Sequence, residues 1–363
     1  MTAKERVATA LMFEEPDRIP VSALFVPEMQ DKLKRHLNMS TNVSNCSPAL
    51  ANDLMNELGI VLGNDLIKVQ AGMENMFYVP GDDEYTTDWG VVLKRVENST
   101  GVYTENIRGP LQGDDSLLDA YEIPDPHKEE IYTEPARVLQ KYGKEYWIVG
   151  SVQISIFEAA AHLRGLPEIM MDMMVNKDYA HRLLDKVMQF PLQAGKKFIE
   201  MGVDMIWCGD DVAMQNTMMI SLETWREFLR PRYALMFAEY RKIRPDIKIC
   251  YHSDGNCEDI LDDMIEIGLD VINPIQPLSM DPVHVKKRFG RKLAMFGGVD
   301  IQYTMPFGSI DDLENEIKTL CRFCGRGGGY ILSPSHYLQS DVSVEKVLKF
   351  YEFAKKYGRY AKS

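Results

Sequence analysis

Residues 247–257, IKICYHSDGNC, place groups capable of acid–base or metal chemistry directly after an apolar run of strand character. The next residues, CEDILDDMIEIG, have the pattern of a helix, so His252 and Asp254 are expected on a strand-to-helix loop. Parallel α/β folds build their active sites on such loops. Ser253, Asp254 and Asn256 are also ordinary capping and turn residues, so this segment alone favours neither interpretation.

Polar side chains follow the other apolar runs in the same way. Because catalytic groups in a barrel project from the C-terminal ends of its strands, these residues are expected to surround one site. They are Gln153, Glu158, Asp210, Asp211, Asn273, Gln276, Asp300, Gln302, Ser335 and His336. Any barrel has polar loops, so the prediction depends on convergence of the set.

Two kinds of chemistry suit these residues. His252, Asp254 and His336 have the ligand types of a divalent-metal site with an open position. Alternatively, the histidines and Asp210 or Asp211 manage protons at a substrate that bears a carboxylate, with pKa values shifted by burial and charge. A third interpretation is that both histidines bond only to loop backbone.

The elements that would position these residues alternate regularly from about residue 147 onward. Strand-like runs cover 146–151, 204–209, 247–252, 270–275, 292–298 and 329–334. Helical patterns cover about 166–201, 221–243, 257–267, 281–289, 310–323 and 343–357. With one or two further strands near residues 63–69, this count predicts a closed (β/α)8 TIM barrel. No GxGxxG follows an early strand, which disfavours an open dinucleotide-binding sheet.

The chain is predicted to be one elaborated domain over residues 1–363. An N-terminal part of about 1–145 includes alternating residues at 76–110 that indicate an antiparallel β-hairpin insertion, and about 146–363 holds the regular repeats.

The net charge of −13 disfavours binding to nucleic acid or to anionic membrane surfaces. No signal peptide or membrane-spanning run is evident, so a cytoplasmic location is expected.

Several motifs together resemble the uroporphyrinogen decarboxylase superfamily. They are RVATALMFEEPDRIPV at 6–21, SIFEAAAHLRG at 155–165, ETWREFLRPRY at 223–233, HSDGN at 252–256, FGGVD at 296–300 and the closing SPSHYLQSDVSVEKVLKFYEFAKKYGRY. The superfamily also contains corrinoid-dependent methyltransferases. The resemblance implies a barrel with a deep cleft at the strand ends.

The decarboxylase branch is matched incompletely. Its arginine-rich porphyrin-binding element would fall within residues 19–30, which contain no arginine. Several carboxylates require several fixed cations, so porphyrinogen decarboxylation is the second choice. The resemblance places Asp65 where that branch has its catalytic aspartate and His336 where it has a late histidine. The arginines available to replace the missing element are Arg18, Arg164, Arg230 and Arg232.

The methyltransferase branch binds zinc through a His-x-Cys motif and a late cysteine, which match His252, Asp254 and His336. Both sulfur ligands are therefore replaced, which favours an oxygen- or nitrogen-linked methyl donor over a thiol. The resemblance then implies transfer to cobalamin carried on a partner corrinoid protein, with Glu158, Asp210 or Asp211 orienting the donor. The expected substrate-binding residues are Asp65, Gln153, Asn273, Gln276 and Asp300.

The predicted function is therefore a methyltransferase that demethylates a small O- or N-methylated substrate, with His252, His336, Glu158, Asp210 and Asp211 as catalytic residues. A porphyrinogen decarboxylase is the first alternative, and a non-catalytic tetrapyrrole- or corrinoid-binding barrel is the second. Whether two chains form a homodimer is left open.

Overall fold

The strands of the computed structural model form two sheets, and the structure describes residues 1–39, 48–77, 79, 82–98 and 101–360. The strands are β1 (Leu66–Gln70), β2 (Glu84–Thr86), β3 (Val92–Asn98), β4 (Gly101–Arg108), β5 (Trp147–Ser151), β6 (Met205–Gly209), β7 (Lys248–His252), β8 (Val271–Ile275), β9 (Ala294–Val299) and β10 (Tyr330–Pro334). A parallel sheet runs in the order β1-β5-β6-β7-β8-β9-β10, and β2, β3 and β4 form a separate antiparallel sheet. All six strands predicted after residue 145, and the strand near residue 67, are confirmed.

Three of the described helices precede β1, and most of the later ones follow strands of the parallel sheet. The helices are α1 (Ala3–Leu11), α2 (Pro27–His36), α3 (Pro48–Leu62), α4 (Leu117–Ala120), α5 (Glu129–Tyr142), α6 (Phe157–Arg164), α7 (Leu166–Val175), α8 (Lys177–Met201), α9 (Leu222–Phe228), α10 (Arg230–Ile243), α11 (Leu261–Glu266), α12 (Pro282–Phe289), α13 (Ile310–Phe323) and α14 (Val344–Tyr357). The helix predicted over 166–201 is divided into α7 and α8, and the helix predicted over 221–243 is divided into α9 and α10. The second division precedes Pro231, whose ring is tolerated in the first turn of a helix but not in its interior.

An irregular segment at residues 20–23 closes the barrel between its last strand and its first. On one side, Leu332 N donates to Pro20 O over 2.9 Å. On the other, Asp65 N donates to Val21 O over 2.8 Å. The Asn64 side chain donates to Ala23 O and accepts from Ala23 N. This segment occupies the eighth strand position of the barrel. The predicted (β/α)8 barrel is therefore confirmed, with one strand reduced to a short extended stretch.

The inside of the barrel is a packed core. Side chains alternate across each strand, and one set of alternate positions points inward. The inward-facing residues include Leu66, Trp147, Val149, Met205, Trp207, Cys250, Val271, Ala294, Phe296 and Ile331. Val7 and Leu11 of α1 join the same cluster from outside the sheet. A ligand therefore has room only above this core, at the C-terminal ends of the strands.

The antiparallel sheet β2-β3-β4 is the predicted insertion, with one strand more than a hairpin. β3 and β4 pair along their lengths, and Arg95 lies opposite Thr104. Leu93, two residues before Arg95 on the same face of β3, is fully buried. The sheet therefore packs on the barrel through this face. Residues 78, 80, 81, 99 and 100 of the predicted range lie outside the described residues. No helix in the described part of the chain is long and apolar enough to cross a membrane.

Candidate active site

A cleft of about 360 Å³ lies above the barrel core. The barrel loops, α2, α3 and the antiparallel sheet all contribute to its walls. Its lining includes Phe25, Gln30, Asn52, Met55, Glu74, Phe77, Arg95, Tyr103, Thr104, Gln153, Glu158, Asp211, His252, His336 and Tyr337. An enclosure of this size, part apolar and part polar, suits a small organic molecule.

His252 is the last residue of β7, and its ring is held by Asn273 in the middle of β8. Asn273 donates from Nδ2 to the Phe296 carbonyl, so its Oδ1 is left to accept, and His252 Nδ1 lies 2.7 Å from that oxygen. Nδ1 must therefore carry the proton in this bond. The Nε2 lone pair is then free, at 3.8 Å from Asp211 Oδ1 and from Asp254 Oδ1.

His336 and Asp254 complete a three-residue cluster with His252. One ligand atom from each residue lies within 4.8 Å of the other two. Asp254 Oδ1 is buried and has no hydrogen-bond partner among the described residues. Burial raises the pKa of Asp254, and the two histidines oppose that rise. Burial lowers the pKa of His336, which favours the neutral imidazole that a metal requires.

A chain of carboxylates continues from this cluster to the start of α6. Asp254 N donates to Asp211 Oδ1 over 2.7 Å, and Asp211 N donates to Glu158 Oε2 over 3.0 Å. Burial, followed by the charges of Asp211 and Asp210, raises the pKa of Glu158 well above its ordinary value. The raised pKa favours the protonated form of Glu158, which is the form that can donate a proton.

Asp210 does not line the cleft, in contrast to the role predicted for it. Its side chain is fully buried and accepts from the backbone N–H groups of Ser155, Ile156 and Glu158, and from the Tyr233 hydroxyl. These bonds satisfy donors at the start of α6 that lack partners within the helix. Asp210 thus positions Glu158 and does not face a substrate.

The predicted substrate-binding residues separate into two groups. Gln153 lines the cleft, and Asn273 lies just behind His252. Gln276 Oε1 accepts from Gly255 N at 2.6 Å, and Asp300 accepts from three backbone N–H groups in the turn after β9. Neither Gln276 nor Asp300 lines the cleft, and the side-chain oxygens of both accept hydrogen bonds from loop backbone instead.

Asp65, which was expected to bind substrate, does not line the cleft. Asp65 directly precedes β1, so it lies at the N-terminal end of the barrel, with the packed core between it and the cleft. It is buried between Arg6 and Arg18 and accepts from Val21 N. These bonds give it a structural role in closing the barrel.

Comparison with known proteins places this architecture in a family. The family model described as uroporphyrinogen decarboxylase (URO-D) matches residues 88–357, most of the chain. The chain belongs to the URO-D family. No curated protein sequence matches the chain.

The URO-D fold of this chain also has a solved counterpart over its whole length. A methyltransferase from Methanosarcina mazei has 18% sequence identity and a TM-score of 0.74, with 98% of this chain and 99% of that chain covered. This likeness shows the fold. A GH27 β-L-arabinopyranosidase from Geobacillus stearothermophilus has 10% identity and a TM-score of 0.43, covering 94% and 76% of the two chains.

The arginines considered as replacements for the decarboxylase element are already paired in this URO-D family member. Arg18 binds Asp65, Arg164 binds Asp172 and Asp115, Arg230 binds Asp263 and Glu266, and Arg232 binds Asp185. None of the four lines the cleft.

Sequence reasoning did not identify Lys68, Glu74 and Tyr337 as parts of the site. Lys68 Nζ lies 2.9 Å from both Glu74 Oε2 and the Tyr337 hydroxyl, beneath the cleft. Burial alone would lower the pKa of Lys68, but Glu74 and Tyr337 outweigh it and raise that pKa. A lysine within the apolar strand LIKVQ was the available signal, because buried lysines are rare unless paired.

A second cavity of about 420 Å³ meets the cleft at Glu158 and Asp211, which line both. Its other walls come from α6, the start of α7 and the end of β4, including His162 and Arg108. The two carboxylates are therefore accessible from two sides.

If the cluster of His252, Asp254 and His336 binds zinc, replacing Asn273 by leucine should lower the zinc affinity of the folded protein about 10- to 100-fold, because His252 loses the acceptor that fixes its tautomer. A competition titration with a chromophoric chelator measures this affinity, and thermal unfolding checks the fold. Unchanged affinity in a folded variant would contradict the role assigned to Asn273.

Proposed function

We propose that this URO-D family protein transfers a methyl group from a small O- or N-methylated substrate to cobalamin carried on a partner corrinoid protein. The observation that carries the proposal is the convergence of His252, Asp254 and His336 beside the cleft, where the buried Asp254 Oδ1 has no hydrogen-bond partner among the described residues. A metal ion would give that buried oxygen the partner it lacks.

The residues present fit zinc. Two imidazole nitrogens and one carboxylate oxygen make a three-ligand set, and a fourth position would remain for substrate. Bound zinc would act as a Lewis acid on the heteroatom that carries the methyl group. Nitrogen and oxygen ligands make the metal harder than a thiolate set does, which favours an oxygen- or nitrogen-linked donor.

The protein's own residues would control the proton. When the bond from the methyl carbon to oxygen or nitrogen breaks, the methyl group leaves for the acceptor and the heteroatom keeps the electron pair. Glu158, whose pKa is raised by burial and by the charges of Asp211 and Asp210, can supply the proton that this atom needs. Asp211 lies between Glu158 and Asp254 in the hydrogen-bonded chain and orients both.

Other support is less direct. The Methanosarcina mazei protein, which shares the fold over nearly all of both chains, is named as a methyltransferase. Porphyrinogen decarboxylation is less well supported, because the four candidate arginines are paired outside the cleft. A barrel that only binds a tetrapyrrole or corrinoid would have no need of a buried carboxyl group with a raised pKa, Glu158, beside the histidine cluster.

The test combines metal analysis with two activity assays. We expect protein purified without added metal to contain about one zinc per chain, and to methylate free cob(I)alamin from at least one member of a panel of methyl ethers and methylamines. Absence of both metal and transfer would overturn the proposal. Conversion of uroporphyrinogen would support the decarboxylase instead, and an absorbance change with cobalamin but no turnover would support a binding protein.

A further inference from the structure

Arg95 differs from every other described arginine. It is half-buried, and no carboxylate of the described residues lies within 4.0 Å of its guanidinium. The other described arginines that are not exposed are all ion-paired: Arg6, Arg18, Arg164, Arg230, Arg232, Arg241 and Arg244. A permanent cation withdrawn from water without a counter-charge is costly, so its position calls for an anionic partner.

The fold directs Arg95 into the cleft. It lies on β3 opposite Thr104, on the face that also carries the buried Leu93, and both Arg95 and Thr104 line the cleft. Its charge acts on the neighbouring Tyr85: burial raises the pKa of Tyr85, and Arg95 partly opposes that rise. The Tyr85 hydroxyl donates to Met76 O over 2.9 Å, so this neutral phenol is not a counter-ion.

Apart from Arg95, no positively charged side chain among the described cleft-lining residues could bind an anionic ligand. Among the described residues that line the cleft, Arg95 is the one arginine or lysine. Lys68, below the cleft, is already paired with Glu74. Of the cleft acids, Glu28 and Glu74 lie on α2 and on the turn at residues 73–76, while Glu158 and Asp211 belong to the site described above. Arg95 therefore supplies a positive charge from the antiparallel sheet, whereas the histidine–carboxylate cluster lies on the barrel strands and their loops.

We propose that Arg95 binds a carboxylate of the methyl-group donor, so that this cleft takes methylated carboxylic acids. The inference rests on the proposed function, which supplies the methyl-bearing group at the other end of the substrate. A guanidinium presents two parallel N–H donors that match the two oxygens of a carboxylate. The apolar and aromatic lining between, with Met55, Phe77 and Tyr103, would cover the body of the molecule.

The test compares matched acids and amides in direct binding, which requires no turnover. The probes are 4-hydroxybenzoate and 4-hydroxybenzamide, and methoxyacetate and methoxyacetamide, titrated by calorimetry into the full-length protein. We expect the wild type to prefer each acid. Arg95→Gln should weaken acid binding about 10- to 100-fold and leave amide binding unchanged, and Arg95→Lys should recover part of the loss.

Lys94→Gln is the matched control, because it removes one positive charge from the adjacent, exposed position of the same strand. Its acid affinity should equal that of the wild type. Equal affinity for acid and amide, failure of both acids to bind, or an unchanged Arg95→Gln variant would each overturn the inference. Arg95-dependent acid binding without methyl transfer from any donor would instead retain the anion site and reject the proposed function.

Discussion

Replacing Asp254 by asparagine is expected to lower the zinc affinity about 100-fold or more and to abolish methyl transfer. Asp254 supplies the only carboxylate of the three-residue cluster, and its Oδ1 is the buried oxygen without a partner among the described residues. The amide of asparagine is a much weaker ligand for zinc than a carboxylate. Losing one of three protein ligands should lower the zinc affinity more than losing the hydrogen bond that orients a ligand, as in the Asn273 variant. Chelator competition and the cob(I)alamin assay measure the two losses separately.

Asp259→Asn is the control for this change, since Asp259 is an exposed carboxylate five residues along the same loop region. It removes the same charge without touching the cluster, and should retain both zinc and activity. If Asp254→Asn binds zinc as tightly as the wild type, then His252 and His336 serve proton transfer and the metal assignment fails.

Replacing Asp65 by alanine is expected to lower the free energy of unfolding by about 3–5 kcal/mol, because Arg18 loses its carboxylate partner and the buried Arg6 keeps only the exposed Asp17. Arg6 and Arg18 both bind this carboxylate, and the Asp65 side chain is 2% exposed. Val21 N loses its acceptor in the same change, at the point where the barrel closes. Urea denaturation measures the loss, and the ratio kcat/KM of the remaining folded protein should be close to the wild-type value.

Asp17→Ala provides the comparison, because Asp17 also pairs with Arg6 but its side chain is 44% exposed. An exposed pair contributes about 0–1 kcal/mol, so this variant should be nearly as stable as the wild type. A stable Asp65→Ala protein without activity would return Asp65 to the catalytic role that the family resemblance suggested.

The barrel and the core of the site were predictable because both follow local rules. Strand-like runs alternating with helices predict the parallel sheet, and a polar residue directly after a strand predicts a side chain at the cleft end. His252 and Asp211 satisfy that rule and line the cleft. Asp65 precedes its strand, and the same rule, applied to it, would have placed it at the opposite end. Its assignment came from the resemblance alone.

The position of a polar residue after a strand predicts the end of the barrel at which it lies, but not the groups to which it forms hydrogen bonds. Asp210 and Asp211 are adjacent in sequence, yet one caps α6 and the other faces the cleft, because Tyr233 and the α6 backbone lie on one side only. Arg95 could not be identified for a different reason. Its place in the cleft depends on how the antiparallel sheet packs against the barrel, and no pattern within residues 76–110 reports that packing.

The short extended segment at residues 20–23 affects the order in which the chain folds. Its partners, Leu332 and Asp65, come from opposite parts of the chain, and nearby Gly327 N bonds to Glu15, 312 residues away in sequence. During synthesis the N-terminal segment emerges first, yet it cannot complete its pairing until β10 has left the ribosome. The ring must therefore close late, after the helical repeats have formed, and until then β1 and β10 each present an open edge to other chains.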